Sequence, residues 1–154
     1  MPLKWLMSNT EFPYFKTLRF IDNKKEGIAK SMRSTGELVI NKYYWKNLKE
    51  EHKFYVLAHE EGHILYNTRD ELKADQHASE RYFLRGFKLS ESVKALGEHL
   101  DRNNPVHIAR TWLQYQRALQ YDFEKNNNVK AYRKNYGTAV TVIQKLKNYD
   151  TTNW

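Results

Sequence analysis

The first forty residues place apolar side chains in short alternating runs separated by polar turns. Thr17–Ile21 (TLRFI) alternates around Leu18 and Phe20, residues 22–26 (DNKKE) form a polar turn ending at Gly27, residues 28–32 make a second run, and residues 33–36 make a second turn before Glu37–Asn41 (ELVIN). Period-two alternation punctuated in this way predicts a small antiparallel sheet of two or three strands.

From residue 49 the spacing changes to three and four. Residues 49–66 carry Phe54, Leu57, Ala58 and Leu65 and stop at Asn67. Residues 69–84 form a second helical run that ends before Gly86, a natural C-terminal stop. Ser90 is placed to cap a third helix over 91–101, and Asn104-Pro105 opens a fourth with proline at its first position. Val106, Ala109, Trp112, Leu113 and Leu119 lie on one stripe of that fourth helix. A fifth is predicted over 129–147, with Tyr132, Tyr136, Val140, Ile143 and Leu146 as its packing face. The expectation is an α+β chain of one domain over 1–154, sheet-rich over 1–45, with a helical pair over 46–84 and a helical subdomain over 85–154.

Composition narrows the chemistry. The chain has no cysteine, so disulfides and thiolate metal sites are excluded and any transition metal must be held by His, Asp or Glu. No apolar run approaches the ~18 residues that cross a bilayer, and the N-terminus lacks a secretory pattern. The expectation is a cytoplasmic protein without a membrane partner, and a virion-associated one is compatible with the same features. The net charge is +8, but it is unevenly spread. Residues 59–101 hold six Lys/Arg against nine Asp/Glu, so the basic excess is terminal and the middle is acidic. A basic chain attracts polyanions, yet no nucleic-acid recognition motif is present and nucleic acid is not the expected partner.

The acidic middle carries the chemistry. Residues 56–65 read VLAHEEGHIL, an H-E-x-x-H inside a helical pattern. Four residues are about one helical turn, so His59 and His63 project from one face, where two imidazoles can meet one zinc ion. Glu60, one residue round the helix, is placed to touch a water on the metal as general base rather than to be a third ligand. Gly62 costs about 1 kcal/mol against Ala in a helix, which a close backbone approach would justify. A short turn then folds the next helix back. Glu71 would supply the third ligand and leave a position open to water, the arrangement of a catalytic zinc. Asp75, one turn on, can accept the free N–H of a zinc-bound imidazole, and Ala74 is small enough to let the helices approach. Thr68-x-x-Glu71 also fits a capping box, which would turn Glu71 back on its own helix, and Asp70 can be read as the cap or as the ligand instead.

H-E-x-x-H followed by E-x-x-A-D (Glu71 to Asp75) resembles the gluzincin metallopeptidases, in particular the soluble minigluzincins and the catalytic domain of HtpX-like proteases. The stretch from ELVIN to EEHKFYVLA is similar to their edge strand leading into the active-site helix, and Asn104 to Arg110 (NPVHIAR) is similar to their His-Pro-x-x-x-x-Arg element, with Asn104 in place of the histidine. The gap from His63 to Glu71 is shorter than in most of these enzymes. The resemblance covers roughly residues 37–112. It implies a zincin-like fold, one Zn²⁺ per chain and hydrolysis of a peptide or protein substrate. Arg110 would then stabilise the oxyanion, with His107 and His99 as lesser candidates. It also implies that the strand Glu37–Asn41 lies at the sheet edge above the cleft, where an extended substrate could add. The rival reading keeps the metal but makes the chain a structural, packaged or regulatory component, as on a phage or mobile element.

Overall fold

The computed structural model describes residues 11–98 and 105–126. The predicted fifth helix and His99 lie outside the described residues. The described chain is α+β: three strands, β1 (Thr17–Ile21), β2 (Ala29–Met32) and β3 (Glu37–Asn41), are followed by α1 (Lys42–Trp45), α2 (Glu50–Leu65), α3 (Glu71–Leu84), α4 (Leu89–Gly97) and α5 (Pro105–Asn126).

The sheet is mixed, which corrects the expected antiparallel arrangement. Its order is β1-β3-β2, with β3 antiparallel to β2 and parallel to β1. The cause is the path of the loop between β1 and β2, which crosses the end of β3 and wraps around Asn41. That side chain is wholly buried and donates to the carbonyls of Asn23, Glu26 and Gly27 at 2.7, 3.3 and 3.1 Å. Its Oδ1 accepts from the amides of Asn23 and Tyr43, so one residue satisfies the loop and caps α1. The hairpin from β2 to β3 turns at Gly36, whose φ of +73° is the left-handed region that glycine tolerates. The same order corrects a second expectation. Glu37–Asn41 is the central strand, and the edge strand beside α2 is β2.

Helix α2 is the spine. Every residue from His52 to His63 is buried, because the sheet, α3 and α4 all pack on it. Phe12, Leu38, Ile40, Phe54, Tyr55, Leu57, Tyr82 and Leu96 form the centre of that core. Aromatic pairs link its layers: Phe54 lies 5.3 Å from Phe12 and 5.2 Å from Phe87, and Tyr55 stands edge-on to Tyr82 at 5.9 Å.

The turn between α2 and α3 sets how the two helices face each other. Tyr66 closes α2, Asn67 takes a φ of 47°, and the amides of Asn67 and Thr68 bond back to the carbonyls of Ile64 and His63. This is a Schellman stop with asparagine in the left-handed position. Asp70 caps α3 by accepting from the Leu72 amide at 2.9 Å, while Thr68 Oγ1 accepts from the Asp70 amide at 3.0 Å. The capping box through Glu71 is therefore not formed, and Glu71 is left to turn towards α2. Helix α4 starts at Leu89, with Ser90 inside it rather than capping it. The helix expected after Asn104 runs from Pro105 to Asn126.

Candidate metal centre

The site is built from α2 and α3 held in close contact. A β-carbon added at Gly62 would stand 3.1 Å from the Ala74 Cα and 3.2 Å from the His77 Cβ, so the missing side chain is what lets the helices meet at this level. With the helices so near, His59 and His63 on α2 face Glu71 and Asp75 on α3.

The two Nε2 atoms lie 3.2 Å apart. Glu71 Oε2 is 3.0 Å from His59 Nε2, and Glu71 Oε1 is 3.3 Å from His63 Nε2. A tetrahedral ion with ligands at ~2.0–2.1 Å separates any two of them by about 3.3 Å; the edge between the imidazoles has about that length, and Glu71 approaches each imidazole with a different oxygen. The other ring nitrogens each lie close to an oxygen. His59 Nδ1 lies 2.9 Å from Asp75 Oδ1, and His63 Nδ1 lies 2.8 Å from the Thr68 carbonyl, which the Schellman turn presents. Protons on both Nδ1 atoms, the tautomers that metal ligation requires, would leave the two Nε2 lone pairs free for one ion. These residues fit a bound divalent ion.

Glu60 stands closer than the sequence suggests. His59, Glu60 and His63 each offer a donor atom within 4.8 Å of the others, so Glu60 is a geometric rival to Glu71 as third ligand. Its Oε2 accepts from the Ser31 hydroxyl at 2.9 Å, which ties that oxygen to β2. Glu71, by contrast, has one oxygen on each imidazole. Both carboxylates, Glu60 and Glu71, therefore stand beside the two imidazoles.

The electrostatics follow from the same contacts. Burial disfavours a charged His59, but hydrogen bonds to Asp75 and Glu71 outweigh it and raise its pKa to about 10. His63 is also raised: burial opposes the charge, and the bonds to Glu71 and the Thr68 carbonyl together with the Glu60 charge outweigh it. Burial pushes Glu71 and Asp75 upward, yet hydrogen bonds to the imidazoles hold both well below the usual carboxylate range, with Arg110 adding to the effect at Asp75. Without a metal, protons hold the two carboxylates and two imidazoles together. Glu60 moves the other way, because burial raises its pKa more than its neighbours lower it.

Arg110 does not face the cleft as an oxyanion donor would. Its Nε and one terminal nitrogen donate to the two Asp75 oxygens at 2.8 and 2.9 Å, and the same terminal nitrogen reaches Glu71 Oε2 at 3.3 Å. It is buried behind the carboxylates and clamps them. His107 lies elsewhere, on a separate cavity of about 640 Å³ that it lines with His52, Glu98 and Trp112.

The open side is a cleft of about 910 Å³ between β2 and the α2–α3 turn, lined by Ser31, Arg33, Glu60, His63, Arg69 and Glu71 among others. Ser31 was not singled out from the sequence. Its signal was the alternation of residues 28–32, which puts Ala29 and Ser31 on one face of the strand. The second-layer groups Gln114 and Ser79 were missed as well. Gln114 accepts from Tyr55 and Ser79 at 3.1 and 2.6 Å and donates to Ser92 at 3.1 Å, fixing α5 to α2, α3 and α4. Among the described residues no helix is long and apolar enough to cross a membrane. No protein-family model, no curated protein and no solved structure matches this chain.

Proposed function

We propose that this chain is a zinc-dependent endopeptidase in which His59, His63 and Glu71 hold the metal and Glu60 is the general base. The observation that carries the reading is the convergence of His59 Nε2, His63 Nε2 and the Glu71 carboxylate at 3.0–3.3 Å, with a fourth donor group, Glu60, beside them at the wall of an open cleft. A zinc ion held there would lower the pKa of a bound water towards ~7 and polarise a scissile carbonyl.

The chain's own groups do the rest. Ser31 holds Glu60 Oε2, which leaves Oε1 to take the water's proton and hand it to the leaving amine. Burial raises the basicity of that carboxylate, which suits a base working near neutral pH. Asp75 and Thr68 fix the imidazole tautomers, and Arg110 is a positioning residue that acts through Asp75 and Glu71. Among the described residues β2 is an edge strand of the sheet; it borders the cleft and is where an extended peptide can add as a further strand.

Metal content by mass spectrometry on wild type, Glu71→Ala and Asp70→Ala tests the ligand set. The expected result is about one zinc per chain, lost with Glu71 and kept without Asp70. Peptide hydrolysis by wild type and Glu60→Gln then tests the chemistry. A loss of ~10²–10⁴-fold in Glu60→Gln with zinc retained is expected. Equal activity in the two proteins would remove the catalytic assignment and leave a structural or regulatory metal protein.

A further inference from the structure

The cleft beside the proposed metal centre carries an uneven charge. Its only carboxylates among the described lining residues are Glu60 and Glu71, and both are committed to the site. The other charged side chains lining it are Lys30, Arg33 and Arg69, and no carboxylate among the described residues pairs with any of the three. Two of these cations gather at one end. Arg33 follows the last residue of β2 and donates across the cleft to the carbonyl and the side chain of Asn67 at 3.3 Å. Arg69 sits two residues beyond Asn67 and is exposed.

The edge of β2 sets a register against this charge. The Asn41 amide bonds to the Ile28 carbonyl at 2.8 Å, so in the β2–β3 register residues 28 and 30 turn their backbone groups to β3, and the Met32 carbonyl accepts from the turn amides of Thr35 and Gly36. The amides and carbonyls of Ala29 and Ser31 therefore point to the free edge. Ser31 is also the residue whose hydroxyl meets Glu60, which places the reacting centre beside it. Arg33 lies two residues further on, about 6–7 Å along the strand.

We infer that the cleft selects acidic peptides, in which an Asp or Glu about two residues to the N-terminal side of the scissile bond faces Arg33 and Arg69. The polarity follows from antiparallel addition to β2, the more stable pairing, which lays the N-terminal half of a peptide against the C-terminal end of the strand. A peptide is favoured over another polyanion because Ala29 and Ser31 offer alternating amide and carbonyl groups, and a phosphate backbone can accept from the amides but has no donor for the carbonyls. The inference rests on the peptidase reading and names its substrate class.

The test is binding to the full-length, zinc-loaded Glu60→Gln protein, which separates recognition from turnover. Fluorescence anisotropy is read with labelled dodecapeptides of one backbone that carry Glu, Gln or Lys at the positions around a central dipeptide, and with oligothymidylate of matched charge. The Glu peptide should bind about tenfold tighter than the Gln peptide at low ionic strength, with the advantage shrinking as salt rises. Arg33→Glu combined with Arg69→Glu should erase that preference or shift it to the Lys peptide. Both sites are partly or fully exposed, and far-ultraviolet circular dichroism and zinc content check that the double variant is folded. Equal binding of Glu and Gln peptides, an unchanged preference in the double variant, or oligothymidylate binding as tight as the Glu peptide would each overturn the inference. Acidic-peptide binding with no cleavage by wild type would overturn the peptidase reading and leave the recognition standing.

Discussion

Helix α2 carries a buried histidine–carboxylate cluster at each end, and the two are built differently. At the N-terminal end, His52 bridges two acids on opposite sides of its ring, with Nε2 2.8 Å from Glu91 and Nδ1 2.7 Å from Glu98. Lys49 and Lys94 complete the arrangement at 3.6 and 3.3 Å from Glu91. Each nitrogen has its own partner, and nothing converges. At the other end, His59 and His63 each spend Nδ1 on an acceptor, and their Nε2 atoms meet 3.2 Å apart with Glu71 across from both. Buried histidines, carboxylate partners and the helix are shared between the clusters. What separates a clamp from a candidate ligand set is whether the unused nitrogens point to different places or to the same one.

The sharpest way to break the comparison is to delete one ring at each end. His63→Ala removes a proposed ligand, and the expected outcome is loss of essentially all bound zinc. His52→Gln removes the bridge between α2 and α4. Zinc content should stay near one per chain while the melting temperature falls by roughly 5 °C. Loss of zinc from the His52 variant, or full retention in the His63 variant, would show that the two clusters do not differ in the way proposed.

A smaller effect is expected one layer out. Asp75→Asn keeps a hydrogen-bond acceptor near His59 but removes the nearer of the two charges that pair with Arg110, leaving it only the longer contact to Glu71 at 3.3 Å. Outer-layer partners of this kind are worth ~10–100-fold in metal affinity, so competition with a chelator should show zinc affinity reduced by that factor, with stoichiometry intact at saturation.

Gly62→Ala probes the helix contact itself. Alanine gains about 1 kcal/mol of helix propensity. The new methyl, however, meets the Ala74 backbone and the His77 side chain, and overpacking of that kind costs ~1–3 kcal/mol. A net destabilisation of about 1 kcal/mol is expected in chemical denaturation, with weakened zinc binding because α3 carries Glu71 and Asp75 together.

Much of this was legible in the sequence where the signal is local. The i,i+4 spacing of His59 and His63, the turn at Asn67 and the glycine at 62 each have a local physical cause, and each appears at the predicted position. The sheet was less legible, because strand pairing depends on where a loop travels. The buried Asn41, bonded to three backbone carbonyls of the β1–β2 loop, holds that loop across the end of β3, a contact between residues 14 to 18 apart in the chain. Ser31 was hidden for the same reason, since its contact with Glu60 joins residues 29 apart. The capping of α3 turned on a choice between Thr68 and Asp70 that either residue type could have filled. Arg110 lies beside the cluster, but its direction was not readable: a guanidinium can face a cleft or carboxylates, and Asp75 and Glu71 decided it.

The least disruptive probe of the comparison is acid. Hydrogen bonding from His52, helped by Lys94 and Lys49, lowers the Glu91 pKa to about 2. A carboxylate whose folded pKa lies below its unfolded value stabilises the fold fully above the unfolded pKa and loses that contribution as pH falls towards the folded one. The window for Glu91 therefore runs from the ordinary carboxylate range, near ~4.3, down to about 2. Glu71 and Asp75 are shifted in the same direction, so wild type should lose stability at both ends of α2 on acidification. Glu91→Gln removes the N-terminal share alone. Denaturation midpoints of the two proteins, followed from pH 6 to pH 3, should differ most at the upper limit and converge as pH falls, while zinc content at pH 6 stays equal. A constant gap across the range would mean that Glu91 contributes through packing rather than charge, and that the His52 cluster is held by shape instead of by its ion pairs.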